Sequence, residues 1–261
     1  MTEINKACCS LPPVKSAYKP VGTTTTIAGL ECYVTGPQTA DKALIAVYDI
    51  FGMNFSQVKQ GADLLGTQGY KVVIPDFFRG QPFPDDTFPA FDSPMKSLAT
   101  MTAETKSALM AFMGSSANFA TRQPDLLAVV EHLRNTESIA NIGAYGLCWG
   151  GKLVILTASQ NPTAFSAIAQ VHPARMEPED AEGLTIPLAS YISDDESVDA
   201  QKQLEEIMSR KKFDNKLNDF KHFVGMHHGF AGSRADLSNE VGAENFQDVY
   251  NRLASFFARA L

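Results

Sequence analysis

The chain has 261 residues, 44% apolar and 20% charged, with a formal net charge of −7. That is enough apolar material for a large core in one or two domains, and the acidic balance, with no basic run and no basic–aromatic interleaving, excludes nucleic acid as an expected partner. The four cysteines suit neither a zinc site nor a disulfide scaffold, and neither a leader pattern nor an apolar run of about 18 residues occurs, so a soluble cytoplasmic protein without membrane association is expected.

Residues 1–22 carry Pro12, Pro13 and Pro20 without a period and read as an extended arm, on which Cys8 and Cys9 form an ordinary adjacent pair. Thr23–Ile27 and Leu30–Thr35 are β-rich runs joined by Ala28-Gly29, a hairpin signal, and Gly36-Pro37 then breaks the chain. Ala43 to Tyr48 is a continuous apolar run of the kind buried on both faces of a parallel sheet, followed by Asp49-Ile50-Phe51-Gly52. Gln57–Gln68 has helical spacing, with Val58, Ala62 and Leu65 on one face, and Val72–Ile74 is a short buried strand closed by Pro75-Asp76.

Phe77 to Pro94, rich in Pro, Phe and Asp, is a loop long enough to suggest a lid or part of a binding site. Met95–Met113 reads as helix up to a break at Gly114-Ser115-Ser116, and Pro124–Asn135 as a firmer helix striped by Leu126, Val129, Val130 and Leu133. Strands are expected at 142–145, 167–171, 188–192 and 220–224, and helices at 152–159, 200–211 and 245–260. This alternation predicts one α/β domain over 1–261, with a mostly parallel sheet of about seven or eight strands flanked by helices.

Gly146-Leu147-Cys148-Trp149-Gly150-Gly151 lies between the strand at 142–145 and the helix at 152–159. A strand, a Gly-x-nucleophile-x-Gly turn and a helix make a nucleophile elbow, here carrying Cys in place of the usual Ser. The flanking glycines are required where strand and helix backbones approach closely, and a thiol at a helix N-terminus is drawn towards thiolate by the helix dipole. Asp49, Arg79, Cys148, Glu196 and His228 each follow a predicted strand, the end at which open α/β sheets bind ligands.

The chain order Cys…Asp/Glu…His is that of the α/β-hydrolase triad. His228 is the expected base, with His227 the competing choice. The acid is one of Asp194, Asp195 and Glu196, among which spacing does not choose. The backbone N–H groups of Trp149 and Ile50 are the expected oxyanion donors.

Tyr48 to Gly52, Pro75 to Gly80, Gly146 to Gly151 and His228-Gly229-Phe230, taken together and in order, resemble the dienelactone hydrolase family, particularly its fungal members. The resemblance covers nearly the whole chain. It implies an α/β-hydrolase fold and hydrolysis of an enol lactone to an open-chain acid, with Cys148 as nucleophile and His228 as base. By position the acid falls on Glu196, where members commonly carry Asp, with Asp195 as the alternative. Asp49 stands where well-known bacterial members carry a Glu that couples thiol activation to substrate binding. Arg79 matches a region that binds the substrate carboxylate, with Asp49 and Phe51 lining the same end. The family's second Arg, after the catalytic His, is matched only loosely by Arg234.

The expected reaction is cleavage of an activated carboxylic ester or lactone through a Cys-His-acid triad. No metal and no organic cofactor is implied, and the protein is expected as a monomer or homodimer. Two rival readings are a small-molecule receptor on a hydrolase fold with little turnover, and a redox thiol protein pairing Cys148 with Cys8 or Cys9.

Overall fold

A computed structural model describes residues 14, 16–85 and 102–261. Cys8 and Cys9, and with them the redox pairing, lie outside the described residues, as do most of the loop after Phe77 and the first part of the helix expected from Met95.

Eight strands form one sheet: β1 (Thr23–Ile27), β2 (Leu30–Thr35), β3 (Lys42–Val47), β4 (Lys71–Pro75), β5 (Asn141–Leu147), β6 (Ala167–Val171), β7 (Leu188–Ile192) and β8 (Asp219–His222). Their spatial order is β1-β2-β4-β3-β5-β6-β7-β8. β1, β2 and β4 pair antiparallel, and every pairing from β4 to β8 is parallel. Ala28 and Gly29 both adopt positive φ, at 52° and 77°, which matches a two-residue hairpin turn. β1 is nearly all threonine and exposed, which suits an edge strand, whereas β6 and β7 are buried at every position and occupy the interior.

Among the described residues, six α-helices flank the sheet: α1 (Ser56–Thr67), α2 (Ala103–Gly114), α3 (Phe119–Asn135), α4 (Trp149–Gln160), α5 (Val198–Ser209) and α6 (Glu240–Ala260). The helix expected from Pro124 begins at Phe119 instead, because Asn118 caps it by accepting from Thr121 N. Pro124 is thus tolerated inside the helix rather than opening it. Asn239 caps α6 in the same way and starts it at Glu240 rather than Asn245, and Ser197 starts α5 at Val198 rather than Ala200. Among the described residues no helix is long and apolar enough to cross a membrane.

Sheet order decides the geometry of the site. β3, β5, β6, β7 and β8 are consecutive neighbours, so the segments leaving their carboxyl ends stand side by side. Asp49, Cys148, His172, Glu196 and His228 leave these strands in that spatial order.

Candidate active site

Cys148 is the N-cap residue of α4 and links it directly to β5, at φ 55° and ψ −114°. Such a backbone costs about 1–3 kcal/mol in a non-glycine residue and persists only when its surroundings enforce it. They do so here. Cys148 N donates to Val171 O at 3.1 Å, and the Cys148 carbonyl accepts from Ala174 N at 2.9 Å. A Cβ on Gly146 would lie 2.1 Å from the Gly150 carbonyl, and one on Gly150 would lie 2.2 Å from Val47 O. The elbow can therefore close on itself, and abut the end of β3, only with glycine at both positions.

That close approach brings the turn after β3, with Asp49, Ile50 and Phe51, against the start of α4 with Trp149. All four residues are buried. The Trp149 indole donates from Nε1 to Ala117 O at 2.8 Å and packs among Tyr48, Phe77, Phe78 and Phe119. The Pro75–Gly80 motif supplies this packing. Asp76 accepts from Tyr48 Oη at 3.0 Å and from Phe78 N at 3.2 Å, and so fixes the turn that delivers both phenylalanines.

Arg79 leaves that turn outward. Its side chain is 52% exposed and pairs with Asp125 of α3, Nη1 to Oδ2 at 3.1 Å and Nη2 to Oδ1 at 3.0 Å. The structure does not bring it together with Cys148 and His228. Among the described residues, Arg234 is the cation beside the turn that carries His228. It is 2% exposed, with its guanidinium over the Phe51 ring at 5.1 Å; burial first, and to a lesser degree the Arg234 charge, lowers the pKa of both His172 and His227. Arg234 packs against Gly229, which has φ +91° and where a Cβ would lie 2.8 Å from Arg234 Cδ. The sequence signal that singles out Arg234 is this pairing of an Arg with a glycine five positions earlier.

The three consecutive carboxylates after β7 each bind a different group of the segment after β8. Asp194 accepts from Gly225 N at 2.8 Å and meets His222 Nε2 at 2.7 Å. Asp195 accepts from the His228 backbone N at 2.7 Å. Glu196 Oε1 reaches His228 Nδ1 at 2.6 Å, while its Oε2 accepts from Ser193 N at 2.7 Å and Ser193 Oγ at 2.9 Å. Both side chains of the Glu196–His228 pair are fully buried. Charge-assisted bonds of this length are the strong ones, and burial strengthens them further. His227 instead turns its Nδ1 to the His228 carbonyl at 3.0 Å, and burial lowers its pKa below the usual 6.5.

Asp49 is wholly buried, and burial raises its pKa. Its Oδ1 accepts from Phe51 N at 2.9 Å, and its Oδ2 accepts from Ser233 N at 3.1 Å and from Ser233 Oγ. The carboxylate therefore ties the loop after β3 to the loop after His228.

His172, just past the strand predicted at 167–171, belongs to none of the sequence motifs. It follows β6, is fully buried at φ 38°, and its ring meets His228 edge-on with centroids 5.1 Å apart. The signal available was its place: it follows a central strand next to the elbow strand, before a proline.

The model of the dienelactone hydrolase family matches residues 30–261. An uncharacterized AIM2 family protein of Schizosaccharomyces pombe is 33% identical over 230 residues, covering 88% of this chain and 87% of that one. A carboxymethylenebutenolidase homolog of Mus musculus is 29% identical, covering 87% of this chain and 86% of its own. Among solved structures, the dienelactone hydrolase from Anabaena variabilis superposes with a TM-score of 0.60 at 12% identity, covering 93% of this chain and 98% of that one, a likeness of fold. With the elbow, the sheet order and these matches together, the chain belongs to the dienelactone hydrolase family of α/β hydrolases.

Proposed function

We propose that this hydrolase cleaves activated carboxylic esters, enol lactones among them, with Cys148 as nucleophile, His228 as base and Glu196 as the acid. The observation that carries the reading is the buried 2.6 Å contact between Glu196 Oε1 and His228 Nδ1, beside a strained elbow cysteine. A carboxylate on Nδ1 fixes the tautomer that keeps Nε2 available to take a proton, and stabilises the imidazolium that results.

In this mechanism His228 takes the Cys148 proton and the thiolate attacks the carbonyl carbon. The N–H groups of Trp149 and Ile50, on abutting turns, hold the oxyanion. The ester C–O bond breaks to leave a thioester, His228 gives its proton to the departing alkoxide, and the neutral imidazole then activates the water that hydrolyses the thioester. Because thiolate is itself a good leaving group, the tetrahedral species reverts unless the alcohol leaves at least as readily. Enol and phenol esters meet that condition and simple alkyl esters do not. Arg234, the buried cation of the site, suits an acyl chain that carries a carboxylate.

The test compares wild type with Cys148→Ala and Cys148→Ser on a panel of enol lactones, aryl esters and alkyl esters. Turnover of enol and aryl esters that disappears in Cys148→Ala is expected. Full activity in Cys148→Ala would overturn the reading.

A further inference from the structure

His172 stands between the elbow and the Glu196 turn, because β6 lies between β5 and β7 in the sheet. Its backbone N donates to Tyr191 O at 2.7 Å, while the preceding residue, Val171, accepts from Cys148 N. A non-glycine residue at φ 38° is strained, and a residue before proline is further biased towards extended conformations. Its ring packs between His228 and Phe230, with centroids at 5.1 Å and 5.7 Å. The side chain is fully buried, and neither ring nitrogen makes a hydrogen bond among the described residues.

Burial, followed by the charges of His228, Arg234 and His227, holds the ring neutral, although the nearby His172 carbonyl acts in the opposite sense. A neutral imidazole offers one N–H and one lone pair. Buried polar atoms are nearly always paired, so two such atoms in one strained residue beside the triad base point to a partner that arrives during the reaction. The partner must be small, and must be able to donate to an imidazole nitrogen next to His228. Water meets both conditions.

We propose that His172 is the positioning residue for the water that hydrolyses the Cys148 thioester. The inference rests on the thiol mechanism above. One O–H of the water donates to the lone-pair nitrogen of His172, which aims the oxygen at the acyl carbon. The other proton passes to His228 as the C–O bond forms. The C–S bond then breaks, its electron pair returns to Cys148, and the carboxylic acid departs.

The test is stopped-flow hydrolysis of p-nitrophenyl acetate, in which acylation gives a burst of p-nitrophenol and deacylation sets the steady rate, with intact-mass detection of the acetylated enzyme. His172→Phe keeps the ring shape and removes both hydrogen-bonding atoms. It is expected to hold the burst rate within about threefold and to slow the steady rate by about tenfold or more, so that acetyl-Cys148 accumulates. His172→Asn, which offers a donor and an acceptor and tolerates positive φ, is expected to recover part of the steady rate.

A burst slowed as much as the steady rate, no change in either, or an Asn variant no better than the Phe variant would overturn the proposal. His172→Leu takes the place of the Phe variant if that fails to fold. If Cys148→Ala still turns over p-nitrophenyl acetate at the wild-type rate, or no acetyl-Cys148 is detected in wild type or either variant, the thiol mechanism itself has failed, and this is read independently of any rate change at residue 172.

Discussion

Glu196→Gln removes one charge from the buried pair and leaves the volume of the side chain unchanged. In the wild type both carboxylate oxygens accept, Oε1 from His228 Nδ1 and Oε2 from Ser193 N and Ser193 Oγ. Glutamine has one acceptor and one donor group, so one side of the site must lose its bond. If the amide NH2 faces Ser193, a donor meets the Ser193 N–H, and the His228 contact survives as a neutral bond. If it faces His228, Nδ1 must become the acceptor, which moves the ring proton to Nε2 and disables the base. The first outcome loses most of a charged hydrogen bond, about 1.5–3 kcal/mol, or roughly 10- to 150-fold in rate. The second approaches the roughly 10⁴-fold loss known for a wrong tautomer in a serine-protease triad.

The expected result is therefore a fall in kcat of at least about tenfold with KM little changed. Asp195→Asn gives the control. Asp195 accepts from the His228 backbone N, a role the Asn carbonyl can keep, so a loss of no more than a few-fold is expected. Steady-state kinetics on an aryl ester at pH 7 decides the matter. If Asp195→Asn costs more than Glu196→Gln, the assignment of Glu196 as the acid is wrong.

Arg234→Gln should raise KM for a carboxylate-bearing ester relative to its neutral methyl ester by about 10- to 100-fold, whereas Arg79→Ala should leave that ratio unchanged and alter stability by less than about 1 kcal/mol, both read from paired KM values and urea melts. Gly150→Ala places a methyl 2.2 Å from the backbone carbonyl oxygen of Val47 and should cost about 3 kcal/mol or more, or prevent soluble expression. Burial depresses the pKa of His172, so the unfolded chain takes up a proton below about pH 6.5 that the native ring refuses. This term leaves stability intact above that pH and removes it as pH falls, by at most about 1.4 kcal/mol per pH unit. Urea midpoints between pH 7 and pH 5 should therefore fall less steeply in His172→Phe than in wild type.

The elbow was legible because its requirement is local. Gly146 and Gly150 are needed by contacts within a few residues of the nucleophile and with one neighbouring strand, and glycine is a visible mark. The apolar runs of β3, β5, β6 and β7 were legible for the same reason, since burial on both faces leaves few polar positions, and the exceptions Gln170 and Ser190 satisfy each other at 2.9 Å. Helix starts were less so: Asn118, Ser197 and Asn239 are caps whose signal is a single polar side chain, and Pro124 offered a competing start. Arg79 and Arg234 show a different limit. Arg79 stands just before Gly80 and Arg234 just after Gly229 and Gly232, both in turns near strand ends, and only the direction of the turn decides which faces Asp125 and which faces Phe51.

The carboxylate run after β7 has no solution at the level of spacing, because all three residues act on one neighbouring segment. β8 is a four-residue edge strand, and the chain from Phe223 to Asn239 contains no regular helix or strand to hold it. Such a segment must find partners for its backbone elsewhere. It finds them in Asp194 at Gly225, Asp195 at His228 and Asp49 at Ser233. A run that reads as a solvated turn is thus a set of separate clamps, two on the backbone of the base's loop and one on the imidazole itself. On this view Asp49 contributes to the site chiefly by fixing the loop that carries His228, and its shorter side chain is no defect. Both of its oxygens are already committed to that loop and to the turn holding Ile50, the proposed oxyanion donor, so it couples the two halves of the site through backbone position.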